Sequence, residues 1–543
     1  MSAENDPAQR VAIDRQIPSI LSYVEGEELH GGQAKTQFVR NAKNTVAYFR
    51  DFLGQDFKSI DASPCHESAH PVQHESTIAF KVKDNADKEN EVTVSEITTR
   101  HLKRLRNSAT YYLGKEVNAA VITVPTNFSD AQKEALNKAA KEAGIEVLQI
   151  ISEPVAAVLA YDARPDAKLA DKIIVVADLG GTRSDVAVVA SRGGIYTILA
   201  TLHDYEVTGL KLDQVLIDYF AKEFLKKHKS ASDPREDARG LAKLKLECEA
   251  VKKALSIGTS ASFSVESLVG GIDYTATINR TRYDLLGNKL FSAFSRLVLH
   301  AIEKAQLDPL DITEVILAGG NAHTPKIAST IQNAFPETTT VLAPSTSTTA
   351  INPSELPVRG AAIQASLIQE FELEDIEQST HPMVTVTPHL SHAVGVLCIS
   401  GDESNGVFHA IVDAETPLPV RRTAIIATPR EGGDVLIKLA EGLRHIKITK
   451  PEPKPKKEKA EDDEDDSDDD DESDEEEELR EKTWKVSNVL SEAAIKGVKK
   501  GGKVEVQINV GADLGINAIY REVGEKGGVR GIIAGGKAAN GSA

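Results

Sequence analysis

The stretch Asp178-Leu179-Gly180-Gly181-Thr182-Arg183-Ser184-Asp185 decides how this chain is read. To its left runs Lys172–Ala177 and to its right Val186–Ala190, both short, apolar and rich in β-branched residues. Two such runs joined by a glycine turn predict a β-hairpin. Paired glycines let backbone N–H groups approach a phosphate with no Cβ in the way. Asp178 and Asp185 flank the turn, placed to hold a phosphate-bound Mg²⁺ through its waters. Arg183 sets a long cation on the turn itself, which suits gripping a phosphate better than positioning a water to attack it. The same eight residues therefore point to nucleotide binding and away from nucleotide hydrolysis. Taken alone, a Gly-Gly turn between strands is also just a tight hairpin, so the rest of the chain must arbitrate.

At 543 residues the chain exceeds what one core can organise, and two to four domains are expected. Its 41% apolar and 27% charged residues are ordinary for a globular protein. Cys65, Cys248 and Cys398 are far apart and form no CxxC pair, which argues against a disulfide framework or zinc site and fits a reducing cytosol or nucleus, with a cytoplasmic setting expected. Met1–Arg10 is polar, unlike a signal peptide, and no apolar run reaches membrane-spanning length. The net charge of −19 is concentrated: 16 of the 18 residues in Glu461–Glu478 are Asp or Glu, and without them 63 basic residues face 66 acidic ones. Such a block repels itself and is expected to be disordered, either as a solvated loop or as a contact for basic partners. It would repel nucleic-acid phosphates, so direct DNA or RNA binding through it is not expected.

Residues 11–370 alternate strand-like and helix-like segments, the pattern of an α/β domain. Asn118–Val124 reads as a strand, and Ser129 with Gln132 forms a capping box opening a helix that Gly144 stops. Val147–Ile151 is the next strand, after which Pro154 starts a helix in its first turn. From about Phe371 to Pro388 the composition becomes that of a linker. Beyond it, short alternating runs such as Ala393–Ile399, Val407–Val412, Arg422–Thr428, Val435–Leu439, Lys503–Val510 and Gly515–Glu522 indicate a β-sandwich. The expected organisation is an α/β domain over 1–370, a linker 371–386, a sandwich 387–533 with a disordered acidic insertion 452–482, and a disordered tail 534–543.

Several ordered motifs make the reading specific. Ala120–Pro125 with Asp130-Ala131-Gln132, Ile151–Ala157, Asp178–Asp185, Glu249–Ser256, Gly319–Lys326 and Asn352–Gly360 together resemble the seventy-kilodalton heat-shock (DnaK-type) chaperones. The resemblance implies an actin-like two-lobed ATPase domain with nucleotide in a central cleft, followed by a β-sandwich substrate domain. It implies that ATP, with Mg²⁺ held indirectly by Asp178 and Asp185, contacts Gly180, Gly181, Thr182, Gly209, Glu249, Lys252, Lys253, Ser256, Gly319, Gly320 and Asn321. Glu249, Lys252, Lys253 and Ser256, at i, i+3, i+4 and i+7, share one helical face, which is equally the spacing of an ordinary charged surface.

The hydrolytic positions depart from the family pattern. Glu153, Asp178 and Asp185 match its carboxylates, but Arg50 stands where active members keep a catalytic Lys, Arg183 replaces a Thr and Thr182 replaces a third Gly. The phosphate-wrapping hairpin that opens active members has no counterpart before Asp14, reflecting either a true loss or a faulty start to the sequence. His381-Pro382-Met383-Val384 is a poor apolar linker, and no helical lid is expected after the sandwich. These features resemble the atypical Ssz subfamily of the ribosome-associated complex. That likeness implies a stable pair with a zuotin-type J-domain protein near the ribosomal exit tunnel, stimulating a second, active chaperone on nascent polypeptide. Two functional readings stay open: an ATP-binding scaffold with little hydrolysis, and an ATP-hydrolysing folding chaperone. An actin-like small-molecule kinase is a third, disfavoured by the downstream sandwich.

Overall fold

The computed structural model describes residues 16–63, 65, 68–85, 88–165, 167, 170–370, 388–398, 407–428, 432–449, 479–525 and 527–534. The chain divides into two compact units, 1–376 and 377–543. The expected linker 371–386, residues 452–478 of the insertion, residues 535–543 of the tail and the segment before Gln16 lie outside the described residues.

The first unit is organised by a five-stranded sheet in the order Ile195–Asp204, Ser184–Arg192, Lys172–Leu179, Glu314–Ala318, Thr340–Leu342. The Gly-Gly stretch closes the hairpin between Lys172–Leu179 and Ser184–Arg192, in a register that sets Asp178 directly opposite Asp185. The central strand reads as an unbroken apolar run because both its faces are covered. Ile173, Val175, Ala177 and Leu179 pack into a core with Phe220, Phe263 and Phe291, whereas Ile174 and Val176 pack on the other face with Ala157, Tyr161 and Leu356. Asp178 and Asp185 continue the second of these rows. A separate core around Tyr23, Phe49, Phe80 and Ile97 belongs to the residues before the central sheet.

Local signals act as the sequence analysis expects. Ser129 and Gln132 form the capping box of Asp130–Glu142, Gly144 turns out of it at φ +78°, and Pro154 lies in the first turn of Glu153–Asp162. The charged helix spans Ala238–Ile257 and is capped by Asp237, which accepts from the Gly240 N–H.

The second unit consists of two four-stranded antiparallel sheets, Val407–Val412, Ala393–Cys398, Gly433–Thr449, Leu479–Val498 and Val420–Ala427, Lys503–Val510, Ile516–Glu522, Val529–Ile533. They share one core built from Val396, Leu439, Val506, Ile508 and Tyr520. Two differences from the sequence reading stand out. The strands are not all short, because Gly433–Thr449 and Leu479–Val498 form one long ladder. The insertion expected over 452–482 therefore gives way to strand at Leu479, where the pairing of Glu481 with Lys447 sets opposite charges across the ladder.

Candidate functional site

A cleft of ≈ 890 Å³ in the first unit is lined by Gly180, Gly181, Thr182, Arg183 and both hairpin aspartates, together with Arg50 and Glu153. Lys35, Asp213, Glu249 and Lys252 line its other end. Its walls carry seven carboxylates (Asp51, Asp61, Glu153, Asp178, Asp185, Asp213, Glu249) against four cations (Lys35, Arg50, Arg183, Lys252).

The carboxylates near the hairpin are crowded and poorly hydrated. Burial, reinforced by the neighbouring Asp178 charge, pushes the Glu153 carboxyl well above the usual carboxylate range. Burial and then Asp185 do the same to Asp178. Two arginines partly offset this crowding. Arg50 lies 3.1 Å from Asp51 and 3.9 Å from Glu153, and Arg183 lies 2.8 Å from Asp185 and 3.6 Å from Asp51. Arg183 is nearly buried, yet its Nη2 has no hydrogen-bond partner. It is thus folded back onto carboxylates, with one donor left over.

His203, which sequence reasoning passed over, completes this end. Its Nδ1 lies 2.6 Å from Asp185 Oδ1, and its Nε2 lies 3.4 Å from the Thr126 hydroxyl. Sequence shows the hairpin Ser184–Arg192 to Ile195–Asp204, but only its observed register, shifted at Val188, pairs Asp185 with His203.

At the helix end, partners are matched. Glu249 pairs with Lys35 and with Lys253, and although burial alone would raise its carboxyl, the two lysines hold it at about 2. Lys252 lies 2.9 Å from the buried Asp213 and donates to the Gly209 carbonyl at 3.1 Å. Lys35 and Asp213 were not foreseen, since nothing in local sequence announces contacts so distant along the chain. Lys253 points largely to solvent, and the Ser256 hydroxyl bonds back to the Lys252 carbonyl. Neither lines the cleft, so the four-residue face divides two and two.

The glycines serve different ends. Gly319, at φ +82°, has no space for a side chain, because a Cβ there would lie 2.4 Å from Asp178 Oδ1. A Cβ on Gly180 would lie 2.6 Å from the Arg183 carbonyl oxygen, and one on Gly209 2.6 Å from Asn321 Nδ2. At Gly181 and Gly320 the space is open. Asn321 is buried and donates to the Gly180 carbonyl at 2.7 Å, bracing the hairpin turn from below. Among the described residues no three His, Cys, Asp or Glu side chains converge as a direct metal-ligand set.

An α/β unit with a glycine-hairpin cleft, followed in sequence by paired β-sheets, defines the class, and the chain belongs to the Hsp70 family: the family model described as "Hsp70 protein" matches residues 10–447. It is 42% identical over 521 residues to the ribosome-associated complex subunit SSZ1 of Saccharomyces cerevisiae, covering 96% of this chain and 94% of that protein. The resemblance to Ssz-type members drawn from the sequence is borne out by this likeness. A heat shock protein 70 homolog of Schizosaccharomyces pombe is 46% identical over 448 residues, 81% of this chain and 77% of that protein. Heat shock 70 kDa protein 14-B of Xenopus laevis is 31% identical over 434 residues, 79% of this chain and 81% of its own. No helix among the described residues is long and apolar enough to cross a membrane.

Proposed function

We propose that this chain is a cytoplasmic, ribosome-associated chaperone component that binds ATP in the cleft with little or no hydrolysis and works by holding partners. The reading takes the first unit as an actin-like, two-lobed nucleotide domain and the second as a β-sandwich. The observation that carries it is the pair Arg50 and Arg183, whose guanidinium groups are tied to Asp51, Glu153 and Asp185. An Arg fork so engaged neutralises carboxylates, and it lacks the compact mobility that a Lys would bring to a reacting phosphate.

The residues present fit a nucleotide. Gly181 leaves open space that a Cβ would fill, and the Arg183 Nη2 donor is buried without a partner. Gly180, Gly181 and Thr182 would carry the phosphates, with Arg50 and Arg183 beside them. Asp178 would face Mg²⁺ through water with Asp185 beside it, while Glu249 and Lys252 would meet the sugar and base end. When bound, Mg²⁺ would supply counter-charge to the excess carboxylates, and the nucleotide would join the two ends of the cleft. The chain's own groups set orientation: Asn321 fixes the turn, and Gly319 keeps Asp178 in place. ATP then stabilises the fold by mass action, without turnover.

Single-turnover hydrolysis, measured on purified protein with a zuotin-type J-domain partner present, tests this. A rate at background supports the proposal, and a rate far above it removes it. The similarity to a ribosome-associated complex subunit supports placing this chain in such an assembly beside a second, active chaperone, near the exit tunnel and nascent polypeptide. The second unit offers the docking surface, since Leu479–Val498 is an edge strand able to accept another strand. Copurification of the J-domain partner after deletion of 384–543 would overturn that placement.

A further inference from the structure

We infer that His203 is a positioning residue that withholds Asp185 from a metal-bound water, so that the cleft holds a nucleotide without cutting it. The inference rests on the reading of the cleft as a nucleotide site. Three adjacent strands carry Asp178, Asp185 and His203 at directly paired positions, so the three side chains form one row on one face of the sheet. Asp178 makes no ion pair within 4 Å among the described residues, whereas Asp185 is engaged on both oxygens.

His203 Nδ1 lies 2.6 Å from Asp185 Oδ1, and Arg183 Nε donates to Oδ2 at 2.8 Å. The Thr126 hydroxyl, 3.4 Å from Nε2, is placed to donate there, which leaves Nδ1 carrying the N–H that points at Asp185. Side-chain exposures of 19% for His203, 17% for Asp185 and 5% for Arg183 keep bulk water from competing for these bonds. A carboxylate held this way has its charge matched and its plane fixed. Each oxygen keeps a second acceptor site, but the ring fixes the carboxylate plane and so sets where a metal-bound water can be held, and the matched charge weakens that hold.

The alignment depends on a backbone irregularity. The ladder between Ser184–Arg192 and Ile195–Asp204 slips by one residue between Val188 and Val189, pairing Val188 with Ala200 but Val189 with Ile198. Without that bulge Asp185 would face Leu202, and the imidazole would point to the opposite side of the sheet. The bulge therefore delivers a polar ring to the carboxylate that lies nearest Arg183.

The test compares single-turnover hydrolysis of Mg·ATP by the full chain carrying Arg183→Thr with the double variant Arg183→Thr/His203→Gly. Removing the ring releases Asp185 Oδ1, and the rate constant should rise by about tenfold or more over the single variant, well beyond any change in nucleotide Kd. Arg183→Thr/His203→Asn, whose amide can still donate to Asp185, should stay at the Arg183→Thr rate. Equal rates in the Gly and single variants, with nucleotide bound in both, overturn the inference and leave the nucleotide reading standing. A wild-type chain that binds no Mg·ATP overturns both. Should the double variant not fold, His203→Ala in the wild-type chain is read by its Mg²⁺ requirement for nucleotide binding. A fall of about threefold or more supports the inference, and an unchanged requirement overturns it.

Discussion

The two ends of the cleft use charge in opposite ways. Around the Gly-Gly hairpin, buried carboxylates outnumber cations and their protonation is pushed upward. At the other end Glu249 and Asp213 each meet a lysine, and Glu249 is driven down to about 2, although burial still raises Asp213. The first end is electrostatically incomplete and gains from an incoming cation, while the second is already closed by its own side chains. A ligand that bridges both would therefore be recruited by the deficit at one end and aligned by the order at the other.

Gly319→Ala should break the hairpin end most severely. A Cβ at φ +82° and 2.4 Å from Asp178 Oδ1 forces the strand end apart, at a cost of about 3–4 kcal/mol in urea unfolding and with loss of ATP binding. Lys252→Met attacks the matched end. It leaves the Asp213 carboxyl buried without its cation, and the expected loss, about 3 kcal/mol by chemical denaturation, should shrink when Asp213 is also made Asn.

The third test uses pH. Glu249 has an ordinary value of 4.5 and a folded one of about 2, so its ion pairs stabilise the fold above pH 4.5 and that contribution is lost as pH falls towards 2. Glu249→Gln should accordingly cost about 1–2 kcal/mol at pH 7, and the two melting curves should converge near pH 2. Lys253→Ala is the mildest: its side chain is 68% exposed, and about 0.3 kcal/mol is expected in thermal unfolding. If ATP affinity nevertheless falls more than about tenfold, Lys253 belongs to the ligand's contacts and the division of that helical face has to be redrawn.

Much of this arrangement was legible from sequence because it is local. The hairpin register that opposes Asp178 and Asp185 follows from a two-sided apolar run and a glycine turn. The Ser129 capping box and the Pro154 helix start are written within four residues. What escaped was non-local or irregular. Lys35 meets Glu249 across 214 positions, and no local pattern encodes that. His203 needed a bulge that hydrophobic alternation does not announce. Leu479–Val498 escaped because Ser491-Glu492-Ala493-Ala494 favours helix by propensity, and only pairing with Gly433–Thr449 makes it strand.

The ladder of the second unit has a practical consequence. Thr449 and Leu479 are its last paired residues, so the chain leaves and re-enters the sheet at facing positions. Residues 450–478 are thus a closed detour whose ends are clamped by backbone pairing whatever lies between them. Halving the detour changes the closure entropy by only about 0.6 kcal/mol. A fluorophore, an affinity peptide or an entire small domain could be spliced in there while both cores stay intact, giving a built-in handle for following this protein in a larger assembly.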